Sequence, residues 1–103
     1  MRIEILYFAG CPNFEPALER VRQVAAALGV DASLEQVEIG SVAEAQHLRF
    51  PGSPTIRIDG RDVETGAAAR GDFALSCRTY GGSGVPPREW IEAALRSALG
   101  APR

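Results

Sequence analysis

Two cysteines are the residues of this sequence best suited to covalent chemistry, and they lie far apart. Cys11 ends the stretch Tyr7-Phe8-Ala9-Gly10 and is followed at once by Pro12, Asn13 and Phe14; Cys77 falls beside Arg78 in a glycine-rich region. A thiolate is both a nucleophile and a soft metal ligand. Cys11 stands between an apolar run and a stretch of helical periodicity. A helix start offers unpaired N–H groups and a dipole that favours negative charge, so a thiol placed there is expected to be a better nucleophile. Pro12 is expected at the first helical position, where its missing N–H has no partner to lose. Pro16 pulls the other way: with a start nearer Asn13, that residue becomes the cap and Cys11 leaves the helix end. The alternative reading of Cys11 is a small buried hydrophobe.

The elements that must position these thiols follow from periodicity. Ile3 to Phe8 is apolar almost throughout, as expected of a strand covered on both faces. Leu18, Val21, Val24 or Ala25, and Leu28 recur at helical spacing from about Phe14 to Leu28, with Gly29 as a stop. Ser33 to Ile39 reads as a second strand with Val37 and Ile39 inward. Ser41 and Glu44 form a capping box for a short helix to about Arg49. Thr55 to Ile58 alternates as a third strand, Asp59-Gly60 signals a two-residue hairpin, and Arg61 to Glu64 returns as a fourth. Residues 65–85 read as irregular, with room for a short strand over Phe73 to Tyr80. Pro86-Pro87 leads into a last helix with Trp90, Ile91, Ala94, Leu95 and Ala98 on its apolar face.

The order β-α-β-α-β-β-α predicts an α/β fold: one domain over 1–103, with a four-stranded mixed sheet and helices on both faces. The opening β-α-β unit must leave parallel strands, and the hairpin must be antiparallel.

Composition narrows the partners. The chain has 103 residues, 46% apolar and 23% charged, with a net charge of −2, the mix of a soluble globular domain. No basic patch invites nucleic acid, and no apolar run of about 18 residues spans a membrane. Glu4 interrupts the apolar start that a signal peptide needs, so a cytoplasmic location is expected. In a reducing cytosol two cysteines are expected to be reactive, metal-binding or buried rather than bridged. Gly81-Gly82-Ser83-Gly84 lacks the strand and lysine of a phosphate loop and reads as a flap. His47 is expected to face solvent from the second helix. Two thiolates are too few for structural zinc, though they suit a soft ion. No cofactor is expected.

The element order, a cysteine between the first strand and first helix, and Ser53-Pro54-Thr55 just before the third strand together resemble the thioredoxin-like superfamily. The resemblance covers 1–64 and 86–103, with 65–85 as an insertion. The stretches YFAGCPN, GSPTIRIDGRDVE, LSCRTY and SGVPPREWI are also similar to short bacterial thioredoxin-like proteins, some labelled alkylmercury lyase. The resemblance implies a cis bond before Pro54, facing an active Cys11. Ser53 would then offer its backbone groups to an extended peptide or thiol substrate, with Gly52 leaving room for the approach. It also implies a Cys-x-x-Cys motif, from which Cys11-Pro12-Asn13-Phe14 departs: Phe14 stands where the second thiol would be.

Topology returns residues 65–85 to the edge that bears Cys11, so Cys77 is a candidate resolving thiol. Its alternative is a packed residue alternating with Leu75. Arg78 is a candidate for activating a thiol or holding an anionic substrate. Three functions remain open. The first is a thiol-disulfide oxidoreductase acting on a small-molecule or protein thiol or disulfide, with Cys11 as nucleophile, Cys77 resolving, and Pro12, Asn13, Ser53, Pro54 and Arg78 around the substrate. The second is a module whose Cys11 and Cys77 bind a soft metal ion or organomercurial. The third is a redox-inactive domain that holds a partner chain at the Pro54 edge.

Overall fold

Strand β1 (Arg2–Tyr7) lies between β2 (Ser33–Glu38) and β3 (Thr55–Ile58), with β4 (Arg61–Asp62) outermost, giving the order β2-β1-β3-β4. This arrangement comes from a computed structural model that describes residues 1–64, 75–76, 78–80 and 82–100. β1 pairs with β2 in parallel and with β3 antiparallel, so Leu6 stands between Val37 on one side and Thr55 on the other. β3 and β4 are antiparallel. The fold is therefore α/β with a mixed, open, four-stranded sheet, as the element order requires. Helices α1 (Phe14–Ala27), α2 (Val42–His47) and α3 (Arg88–Gly100) complete it.

Alternation along β1 sends its apolar residues to two cores. Ile3 and Ile5 join Ile56 and Ile58 beneath α1 and α3, which supply Leu18, Val21, Val24, Ile91 and Leu95. Leu6 belongs to a smaller cluster with Ile39, Ala45 and Phe50, against which Phe8, Val37 and Leu48 pack. Burial on both faces is why β1 reads as an almost unbroken apolar run. Each fully buried aliphatic side chain contributes about 1.5–3 kcal/mol of transfer free energy.

The two central helices end by the same device. After α1, the Val30 N–H donates to the Ala25 carbonyl and the Gly29 N–H to that of Ala26, with Gly29 at φ +67°. After α2, Phe50 donates to Ala45 and Arg49 to Gln46, with Arg49 itself at φ +53°. Both are Schellman turns, the second made without the usual glycine. That turn carries Phe50 back onto Ala45 in the smaller core. At the other end of α2, the Ser41 hydroxyl accepts the Glu44 N–H (3.1 Å), while the Glu44 carboxylate accepts the Gly40 N–H (3.1 Å). Ser41→Ala is expected to cost about 1 kcal/mol, read as a lowered midpoint in urea with unchanged slope.

The hairpin forms as its dipeptide predicts, with Asp59 at φ +50° and Gly60 at φ +84°, as a type I′ turn needs. α1 starts at Phe14, as its periodicity predicts, and Pro12 lies exposed in the preceding turn rather than at the first helical position. Two ends fall short of the sequence reading. α2 ends at His47 because the chain turns left-handed at Arg49. β4 stops at Asp62, whose carboxylate accepts the Glu64 N–H (2.8 Å) and bends the chain there. Of the short strand expected over Phe73 to Tyr80, Phe73, Ala74 and Cys77 lie outside the described residues; Leu75, Ser76 and Arg78 to Tyr80 are irregular.

Candidate functional site

β1 runs towards Cys11, and β3 starts with Thr55 opposite Leu6, so the Cys11 loop and the Ser53-Pro54 loop lie at the same end of the sheet. Cys11 is half-buried, with a free thiol. Its N–H donates to the Phe8 carbonyl (3.2 Å), and its own carbonyl accepts from the Phe14 N–H (3.4 Å). The residue that caps α1 is Asn13, so Cys11 stands before the first turn rather than in it. Of the two helix starts the sequence left open, this is the one that takes Cys11 off the helix end.

Asn13 caps by position only, because its side chain makes no capping hydrogen bond. The carboxamide packs instead on Gly84, where an added Cβ would lie 2.8 Å from the Asn13 Cγ. Gly84 is also at φ +78°, so both its small size and its conformation are used. Phe14 stacks on Tyr7 with ring centroids 3.9 Å apart and planes inclined by 24°. The position that would hold a second thiol is thus occupied by a ring that pins α1 to β1.

The Ser53-Pro54 peptide bond is cis. Both residues are buried, and their surroundings correct the expectation that Ser53 presents free backbone groups to a substrate. The Ser53 N–H donates to the Ser76 carbonyl (2.7 Å), and the Ser53 carbonyl accepts the Arg78 N–H (2.9 Å). The Pro54 carbonyl accepts the Tyr80 hydroxyl, and the Gly52 carbonyl accepts the Thr55 hydroxyl (2.6 Å). The room that Gly52 leaves is filled by the same segment. A Cβ there would lie 2.7 Å from the Arg78 Cγ and 3.1 Å from the Ser76 carbonyl oxygen. Ser76 and Arg78 to Tyr80 therefore lie as a strap across the loop.

Arg78 fastens this strap. Its side chain is 2% exposed, and the guanidinium binds Asp62 through both terminal nitrogens (2.7 and 3.2 Å). It also binds Glu64 (2.5 Å) and the Thr55 hydroxyl (3.1 Å). The Tyr80 ring lies 4.2 Å below its central carbon. Burial opposes the charge. The hydrogen bond the guanidinium donates to Asp62, the electrostatic influence of Tyr80 and Asp62, and the hydrogen bond it donates to Glu64 outweigh burial and raise the pKa of Arg78 above the ordinary value. The guanidinium is turned inward to carboxylates of its own chain. Among the described residues, the Ser53 hydroxyl and the Arg78 Nε are buried without a hydrogen-bond partner.

The structure thus brings Asn13, Ser53, Pro54 and Arg78 to the end of the sheet that Cys11 occupies, and leaves Pro12 exposed. Cys77 lies outside the described residues. His47 is exposed at the end of α2, and no group of three or more potential ligands of the His, Cys, Asp or Glu type occurs among the described residues. No helix among them is long and apolar enough to cross a membrane. Sequence reasoning missed Asp62 and Glu64 as partners of Arg78. Their spacing about the buried Val63 puts two acids on one side of the chain, which was the available signal. Comparison with protein-family models, with curated proteins and with solved structures finds no match.

Proposed function

We propose that this chain is a thioredoxin-like thiol protein that works by thiol-disulfide exchange, with Cys11 as the nucleophile and Cys77 as the resolving thiol. The observation that carries the reading is the position of Cys11. It is a free, half-buried sulfur in the loop that leaves the central strand, held by two main-chain hydrogen bonds at the end of the sheet where β3 begins. The order and directions of the strands support the fold part of the proposal. The role of Cys77 is supported by its neighbours in sequence, Ser76 and Arg78, which both bond to Ser53 at that end.

Exchange proceeds by attack of one thiolate on a disulfide sulfur through a mixed disulfide. Reduced protein treated with a small disulfide is expected to acquire a single adduct on Cys11. Cys77 then displaces it to leave an internal Cys11–Cys77 bridge, and in Cys77→Ser the adduct persists. Peptide mapping by mass under non-reducing conditions reads both outcomes. An adduct that never forms on Cys11 overturns the proposal, and one that persists on Cys11 in the unsubstituted protein removes Cys77 from it.

A further inference from the structure

Resting on the exchange reading above, we infer that the site acts on low-molecular-weight disulfides and does not recruit extended peptides by backbone pairing. Strand addition needs a row of unpaired N–H and C=O groups. At this end of the sheet the backbone groups can be followed one by one. Pro54 has no N–H, and its carbonyl is taken by Tyr80. The N–H and carbonyl of Ser53 are both taken by the strap, and the carbonyl of Gly52 by Thr55. On the other loop, the carbonyls of Tyr7 and Phe8 accept from Ile39 and Cys11, and the carbonyl of Cys11 accepts from Phe14. These groups, which flank Cys11 and the cis bond where an incoming strand would pair, are already satisfied within the chain.

The strap is held tightly enough to stay. Displacing it would expose a guanidinium that is bonded to two carboxylates and a buried hydroxyl. A small disulfide requires none of this, because it needs only the half-buried sulfur. The Cys11 thiolate attacks one sulfur of the disulfide; the Cys11 S–S bond forms as the old S–S bond breaks, and the departing thiolate takes up the proton that Cys11 lost. Cys11 is oxidised and the departing half reduced. Cys77, the resolving thiol of the reading above, then displaces the bound half as a second thiol and leaves a Cys11–Cys77 bridge, which two small thiols reduce, leaving together as a disulfide.

The test uses Cys77→Ser protein and two reagents with the same leaving group: bis(2-hydroxyethyl) disulfide, and an extended peptide whose central cysteine carries the same hydroxyethyl-thio group. Two added main-chain hydrogen bonds would speed capture of the peptide on the order of tenfold. The inference expects the peptide to react no faster than the small disulfide, and a peptide faster by about that factor overturns it while leaving the exchange reading intact. If neither reagent modifies Cys11, the exchange reading falls and takes the inference with it. Tyr80→Phe, which frees the Pro54 carbonyl, is expected to raise the peptide-to-small ratio about threefold in protein shown to be folded by circular dichroism. An unchanged ratio there overturns the role given to the strap.

Discussion

Replacing Arg78 by Met is expected to lower the stability of the fold by about 3–5 kcal/mol, the range measured when one partner of a buried ion pair is removed. The loss is large because one buried side chain serves three partners. Asp62 and the Thr55 hydroxyl are largely shielded from water, and Glu64 is drawn towards the same guanidinium. Without it, two carboxylates remain close together and the strap loses its fastening to β3 and β4. Against a total of about 5–15 kcal/mol for a domain of this kind, such a loss leaves little in reserve. Urea unfolding followed by circular dichroism gives the number. A shift below about 1 kcal/mol would mean that the network breaks even against solvation. Arg78→Lys is expected to recover only part of the loss, since an ammonium cannot reach carboxylates and hydroxyl with a fixed fork. Adding Asp62→Asn to Arg78→Met should relieve part of the repulsion, which separates the charge effect from lost packing.

The second large effect is chemical. Cys11→Ser is expected to reduce exchange with small disulfides to the rate of the reagents alone, because a hydroxyl supplies no thiolate at neutral pH. Stability should stay within about 0.5 kcal/mol of the unsubstituted protein, as for a change outside the core. Cys11 belongs to neither apolar cluster, and its two hydrogen bonds are main-chain ones that serine keeps. This pairing of lost chemistry with retained stability distinguishes a reacting sulfur from a packed one. Stopped-flow release of the leaving thiol measures the first quantity and denaturant unfolding the second. Residual exchange in Cys11→Ser that vanishes on adding Cys77→Ser would move the nucleophile to Cys77.

Much of the fold was legible because it rests on local or periodic signals. The apolar run of β1, the helical spacing of Leu18, Val21 and Val24, the Ser41–Glu44 cap and the Asp59-Gly60 turn each state their own structure. Where two readings stood open, at the cap of α1, the structure takes Asn13 and leaves Pro12 outside the helix, with the Phe14 ring stacked on Tyr7 and Asn13 drawn to Gly84. α2 ends early, at His47, because Arg49 turns left-handed, a conformation such a residue seldom adopts, so no local signal marked the stop.

The candidate site was legible in outline and wrong in one important respect. The cis bond at Pro54 was found, and the return of the later segment to the Cys11 end was foreseen from topology. That this segment consumes the backbone groups of Ser53 was not, because Arg78 meets partners 16 and 14 residues upstream in a stretch with no periodicity. A lone arginine beside a cysteine suggests substrate binding on sequence grounds. Only the burial of its side chain against Asp62 and Glu64 shows it to be a fastener.

The ring pair of Tyr7 and Phe14 sets a limit on what protein engineers could make of this scaffold. Installing Phe14→Cys to build a vicinal redox couple would delete half of an aromatic contact worth about 1 kcal/mol beyond its buried area. The first turn of the helix that has to present the new sulfur would lose its ring contact with the central strand by the very edit that supplies it. A workable conversion therefore has to re-anchor that first turn, for instance by the larger ring of Tyr7→Trp, before any new sulfur is introduced.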